Sequence, residues 1–150
     1  MASKTDVKEF LSCKKIAVVG VSRSGKKFGN SVFKELKSKG YEVYPVNPNA
    51  DEIEGTKSYP DINALKGMID GAVFVVPPAQ TEKLVRDAAS AGISRIWMQQ
   101  GSESKDAIKF CNENGINAVY GECILMYAEP AAFFHRLHRG INKLTGKSLK

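Results

Sequence analysis

The residues best suited to chemistry lie together in Lys15-Ile-Ala-Val-Val-Gly-Val-Ser-Arg-Ser-Gly-Lys-Lys-Phe-Gly29. Apolar Ile16–Val19 stops at Gly20, a loop of small and basic residues follows, and a helix-like segment begins. Small residues let the backbone approach an anion, and the N–H groups at a helix start point toward it. Gly20, Gly25 and Gly29 are spaced G-x4-G-x3-G, a departure from the dinucleotide pattern G-x-G-x-x-G. Val21 leads out of the strand, Ser22 and Ser24 offer hydroxyl donors, and Arg23, Lys26 and Lys27 offer positive charge. The pattern predicts a site for a nucleotide-like ligand carrying several phosphate charges. A plain strand-to-helix turn is the other reading of the same glycines.

Other chemistries lack their residues. A P-loop needs serine or threonine after its lysine to hold magnesium, and here Lys26 is followed by Lys27. His135 and His138 both fall in a basic tail and read as ordinary surface residues. No Ser–His–Asp or Cys–His constellation is visible, so no catalytic residue is expected. Cys13, Cys111 and Cys123 are odd in number and widely spaced, against a disulfide framework or a zinc site. Cys13 and Cys111 read as packing residues. Cys123 reads either as a buried structural cysteine or as a thiol facing the ligand.

The elements that must position this loop alternate. Valine- and isoleucine-rich runs at Ile16–Val19, Glu42–Val46, Ala72–Val76, Arg95–Met98 and Asn117–Val119 read as parallel strands buried on both faces. Amphipathic helices fit between them, with Thr81 as a candidate N-cap for one and Ser102 or Ser104 for another. Thr5–Ser12 reads as a leading helix, and Pro60–Leu65 as a shorter one. Gly40-Tyr41, Gly92-Ile93 and Gly115-Ile116 each supply a glycine exit from a helix. The expectation is an α/β, Rossmann-like three-layer domain with a five-stranded parallel sheet.

At 150 residues the chain is one ordinary domain, with net charge +6. That balance favours anionic partners without naming one, and nucleic acid is not the expected partner. The start lacks the apolar core of a signal peptide, and no run is long enough to span a bilayer. A reducing cytoplasm is the expected location. Residues 1–127 are expected to form the ligand-binding domain and 128–150 a basic helical extension. Phe133, Phe134, Leu137 and Ile141 would give that helix an apolar stripe for the domain or for a second subunit, a route to a homo-oligomer.

Ligands of such sheets sit beyond the carboxyl ends of the strands. An NAD site usually has an acid at the end of strand two, where this chain has Asn47 followed by Pro48. Asp51, Glu52 and Glu54 come slightly later and keep an NAD(P)-binding enzyme or redox sensor as the alternative. Val76, Pro77 and Pro78 build a stiff apolar wall, suited to an adenine face or a pantetheine arm.

Gly20-x-Ser22, Tyr44-Pro-Val-Asn-Pro48, Val76-Pro77, Trp97-Met-Gln-Gln-Gly101 and the late Cys123 together resemble the small stand-alone CoA-binding proteins. These are similar to the CoA-binding N-terminal domain of the succinyl-CoA synthetase α subunit. The resemblance runs from about Phe10 to Met126. It implies non-catalytic binding of coenzyme A or an acyl-CoA, with Gly20, Ser22 and the basic loop taking phosphates. Asn47, Pro48, Val76 and Pro77 would line the nucleotide or pantetheine path, and Gln100 and Gly101 the rim of strand four. Two positions depart from the pattern. Glu122 stands where many relatives have arginine, and Lys26 or Lys27 replaces a loop arginine.

Overall fold

A computed structural model describes residues 4–128. The expected basic extension, with its oligomer-forming stripe, lies outside the described residues. Elements run in the order α1 (Lys4–Leu11), β1 (Lys15–Val19), α2 (Phe28–Ser38), β2 (Glu42–Val46), β3 (Glu52–Ile53), β4 (Thr56–Lys57), a 3-10 turn (Ile62–Leu65), β5 (Gly71–Phe74), α3 (Pro78–Ser90), β6 (Arg95–Gln99), α4 (Lys105–Glu113), β7 (Asn117–Glu122) and a second 3-10 turn (Ile124–Met126).

Five strands form one parallel sheet in the order β2-β1-β5-β6-β7. The alternation of side chains along each strand divides the core between the two faces. Ile16 and Val18 of β1 join Phe10 and Leu11 of α1 and Val32, Phe33 and Leu36 of α2 on one face. Ala17 and Val19 join Val85 and Ala88 of α3 and Ala107 and Cys111 of α4 on the other. This is the expected three-layer Rossmann-like arrangement. The strand order reverses between β1 and β5, and such switch points open a crevice at the carboxyl edge of the sheet.

The glycine exits hold. Gly40, Gly92 and Gly115 have φ of 96°, 84° and 67°. The amides that follow, of Tyr41, Ile93 and Ile116, donate back to Leu36, Ala88 and Cys111 at 3.1, 3.0 and 3.0 Å. That is the Schellman closure, which satisfies orphan carbonyls and turns the chain into the next strand.

Thr81 is not the N-cap of α3. Proline at the first helical position has no N–H to leave unsatisfied, so the helix starts at Pro78. Thr81 instead lies buried within it and donates to the Ser102 carbonyl at 2.5 Å. Of the two candidate caps for α4, Ser104 does the work, accepting from Ala107 N at 3.1 Å. The short helix near Pro60 is a 3-10 turn capped by Asp61, which accepts from Ala64 N at 3.1 Å.

Two strand ends also move. The third main strand stops at Phe74, because Val76 N leaves the ladder for Ser102 Oγ at 3.1 Å. The last runs on to Glu122, with an irregularity opposite Trp97 and Gln99 that lets it continue. The hairpin β3–β4 was not anticipated. Its central residues Glu54 and Gly55 have φ of 51° and 74°, the positive pair of a type I′ turn. No helix among the described residues is long and apolar enough to cross a membrane.

Candidate functional site

Gly20 directly follows β1 with φ 117°, beside the exit of β5. A Cβ there would lie 2.0 Å from the Val75 carbonyl oxygen. Gly29, in the first turn of α2, is equally constrained: its Cβ would lie 2.3 Å from the Gly20 carbonyl oxygen. The two glycines therefore let strand exit, helix start and neighbouring strand meet at backbone distance.

The loop between them is held from inside by Asn30, which is fully buried. Asn30 Oδ1 accepts from Ser22 N at 2.9 Å and lies 3.2 Å from Ser22 Oγ. Its Nδ2 donates to Ser22 O at 2.9 Å and to Glu54 Oε2 at 2.9 Å. Ser22 and Ser24 hydroxyls are 3.0 Å apart, and Ser24 Oγ accepts from Lys26 N at 3.3 Å. The serines thus spend polar atoms on the loop's own shape. Asn47 ties in the second strand: its Nδ2 donates to Val21 O at 3.0 Å while its Oδ1 accepts from Asn49 N at 2.7 Å. The turn reading of Asn47-Pro48 and a place in the site are compatible, because one side chain does both.

Two clefts open along this edge, each with a volume of about 420 Å³. The first takes Gly20, Val21, Lys27, Asn47, Pro48, Val76 and Pro77 into its lining and continues to Asp61, Leu84 and Asp87. The second starts from the same Gly20, Lys27, Val76 and Pro77 and continues to Gln99, Gln100, Gly101 and Ser102. Lys27, the residue before α2, is the cation common to both arms. The structure thus brings together nine of the expected residues: Gly20, Val21, Lys27, Asn47, Pro48, Val76, Pro77, Gln100 and Gly101.

Ser22, Ser24, Gly25 and Lys26 form the body of the loop and are absent from both linings. Cys123 is half-buried at the start of the last 3-10 turn, also off both linings. Burial pushes the Cys13 thiol up to about 12 and the Cys111 thiol up to about 11, as expected of packing residues rather than nucleophiles. Trp97 is fully buried, edge-on to Phe10. No group of three metal-ligating side chains occurs among the described residues.

Sequence reasoning gave no site role to Asn30, Gln99, Ser102 or the Pro60–Ile62 wall, and weighed Glu54 only for an NAD(P) site. The acid sought at the end of strand two has a location: the Glu54 carboxylate bonds Asn30 and stands 4.0 Å from Lys34 Nζ, outside both linings. A polar residue inside a helix, such as Asn30, was the available signal, since it needs a reason to be buried.

A parallel sheet whose switch point carries a glycine junction, a shared lysine and two diverging clefts defines a Rossmann-like α/β domain with an open carboxyl edge. The CoA binding domain family model matches residues 14–129, and the chain belongs to that family. A conserved hypothetical protein from Pyrococcus furiosus has the same fold, with TM-score 0.71 and 44% identity, covering 75% of this chain and 97% of its own. The uncharacterised protein YneT of Bacillus subtilis is 31% identical over 123 residues, covering 81% of this chain and 91% of that protein. The α subunit of acetate–CoA ligase (ADP-forming) II from Pyrococcus furiosus is 29% identical over 126 residues. That match covers 77% of this chain, which spans only 28% of the ligase subunit's length.

Proposed function

We propose that this chain binds coenzyme A or an acyl-CoA across the carboxyl edge of its sheet and holds it without making or breaking bonds. The observation that carries the reading is the meeting of two clefts at Gly20 and Lys27. A ligand with phosphates in its middle and a different arm at each end matches that shape. The diphosphate would lie over the Gly20–Gly29 junction, where backbone N–H groups at the start of α2 and the Lys27 ammonium favour negative charge. The nucleotide would take the arm between Asn47-Pro48 and Leu84, and the pantetheine the arm between Pro77 and Gln100. In keeping with a holding role, the buried thiols of Cys13 and Cys111 lie on neither lining.

The test is to denature the purified protein and identify co-released small molecules by mass spectrometry. CoA or an acyl-CoA is expected, and NAD(P) in its place would overturn the reading. Incubation with acetyl-CoA, ADP and phosphate should leave the thioester intact; its consumption would contradict the holding role.

A further inference from the structure

Two nearly buried residues of the second cleft, Gln99 and Ser102, each keep a donor that no acceptor among the described residues takes. Gln99 ends β6 and is 3% exposed. Its Oε1 accepts from Ile124 N at 3.0 Å, which fixes the carboxamide with its oxygen on Ile124 and leaves the NH2 as the remaining group. That NH2 makes no hydrogen bond to any described residue. Ser102, 4% exposed, accepts from Val76 N through Oγ at 3.1 Å, so its hydroxyl proton is also left to donate, and it too finds no acceptor among the described residues. The same lining also holds the Gln100 carboxamide and the Lys27 ammonium, the latter only a donor.

A ligand that covers these donors must bring an acceptor, because a donor covered without one costs about 1–3 kcal/mol. The lining therefore calls for a ligand that brings lone pairs and few donors at this depth. Phosphate oxygens would satisfy Lys27. The rest of the lining, Val75, Val76 and Pro77 with Gln99, Gln100 and Ser102, carries no charge, which suits a carbonyl oxygen better than a second anion.

We propose that Gln99, seconded by Ser102, donates a hydrogen bond to a carbonyl oxygen of the arm that extends from the CoA diphosphate. This rests on the CoA reading above. The arm has two sources of such an oxygen, the amides of pantetheine and the thioester of an acyl group, and both present the same acceptor. Gln99 then determines specificity: it rewards the arm rather than the nucleotide, and it makes the second cleft a reader of what CoA carries.

The test uses Gln99→Glu, whose carboxylate can still accept from Ile124 N but has lost both N–H donors. Calorimetric titration of the full chain compares CoA, acetyl-CoA, S-ethyl-CoA and ADP bearing a 3′-phosphate, the nucleotide without the arm. The added charge is common to all four ligands, so the selective part of the loss reports on the donor. The expected result is a loss about tenfold greater for arm-bearing ligands than for the nucleotide. Equal extra losses for CoA, S-ethyl-CoA and acetyl-CoA place the oxygen on a pantetheine amide; an extra loss confined to acetyl-CoA places it on the thioester. Equal losses for all four ligands, or none, overturn the proposal. A wild type that binds none of the four overturns the CoA reading itself. A second measurement needs no variant: in the wild type the side-chain NH2 resonances of Gln99 should shift with CoA or acetyl-CoA and stay in place with the nucleotide alone. Resonances unmoved by every ligand that binds would also overturn the proposal.

Discussion

Glu54 Oε2 lies 2.9 Å from Asn30 Nδ2, and this one hydrogen bond joins the tip of the β3–β4 hairpin to the inside of the glycine–serine loop. Through Asn30 the contact reaches both backbone groups of Ser22. Glu54 occupies a positive φ, so the hairpin turn aims its carboxylate under the loop rather than out to solvent. The loop's shape is therefore set before any ligand arrives.

Asn30→Ala removes a buried carboxamide and strands Ser22 N and O. The expected cost is about 1–3 kcal/mol of stability, because the part-buried backbone groups of Ser22 lose their partners. Urea unfolding monitored by circular dichroism checks it. A loss below about 0.5 kcal/mol would mean the loop re-forms its bonds without Asn30.

Glu54→Gln keeps an acceptor for Asn30 and removes a negative charge near the proposed phosphates. CoA binding is expected to tighten by about twofold to fivefold at low salt, in line with the modest worth of partly exposed charges. The gain should fade as ionic strength rises. Titration at two salt concentrations measures it; weaker binding in the variant would assign the carboxylate itself a role in holding the loop.

Lys27→Ala and Lys26→Ala separate two neighbours that look alike in sequence. Lys27 lines both clefts and Lys26 neither. Lys27→Ala should weaken CoA about tenfold through loss of a charge-assisted phosphate contact, with Lys26→Ala well below that. Both are exposed, so thermal midpoints should barely move. Equal effects on affinity would place the phosphates on the loop body instead.

Cysteine chemistry gives a pH prediction. Iodoacetamide at pH 8 should modify Cys123 in the native protein and leave Cys13 and Cys111 untouched, since burial holds their thiols protonated to about 12 and about 11. The sign for stability follows. These folded-state values lie above the ordinary thiol value of 9.0, so the stabilisation is complete below pH 9 and is lost as pH rises from there toward 12. Peptide mass mapping reads the alkylation, and alkaline unfolding curves read the slope. Saturating CoA should not protect Cys123, which lies off both cleft linings; full protection would draw that thiol back into the site.

The sheet and its helices were legible because short apolar runs alternate with amphipathic stretches, and α2, α3 and α4 each end on a glycine before an apolar residue. Gly20, Asn47-Pro48 and Val76-Pro77 were legible because strand exits are short and end at one edge. The rest depended on contacts between distant segments. Nothing near Glu54 announces that it meets Asn30, and Gln99 reads only as part of a strand exit until Ile124 is seen to take its oxygen. Thr81 was misplaced because Pro78 starts the helix a turn earlier.

The central claim is that this edge of the sheet is built for CoA. Thermal melting with CoA and with NAD at matched concentrations tests it most directly, because a ligand stabilises the native state in proportion to its affinity. The account predicts a clear rise in melting temperature with CoA and a smaller one with NAD. An equal or larger rise with NAD, or no rise with CoA, would contradict it.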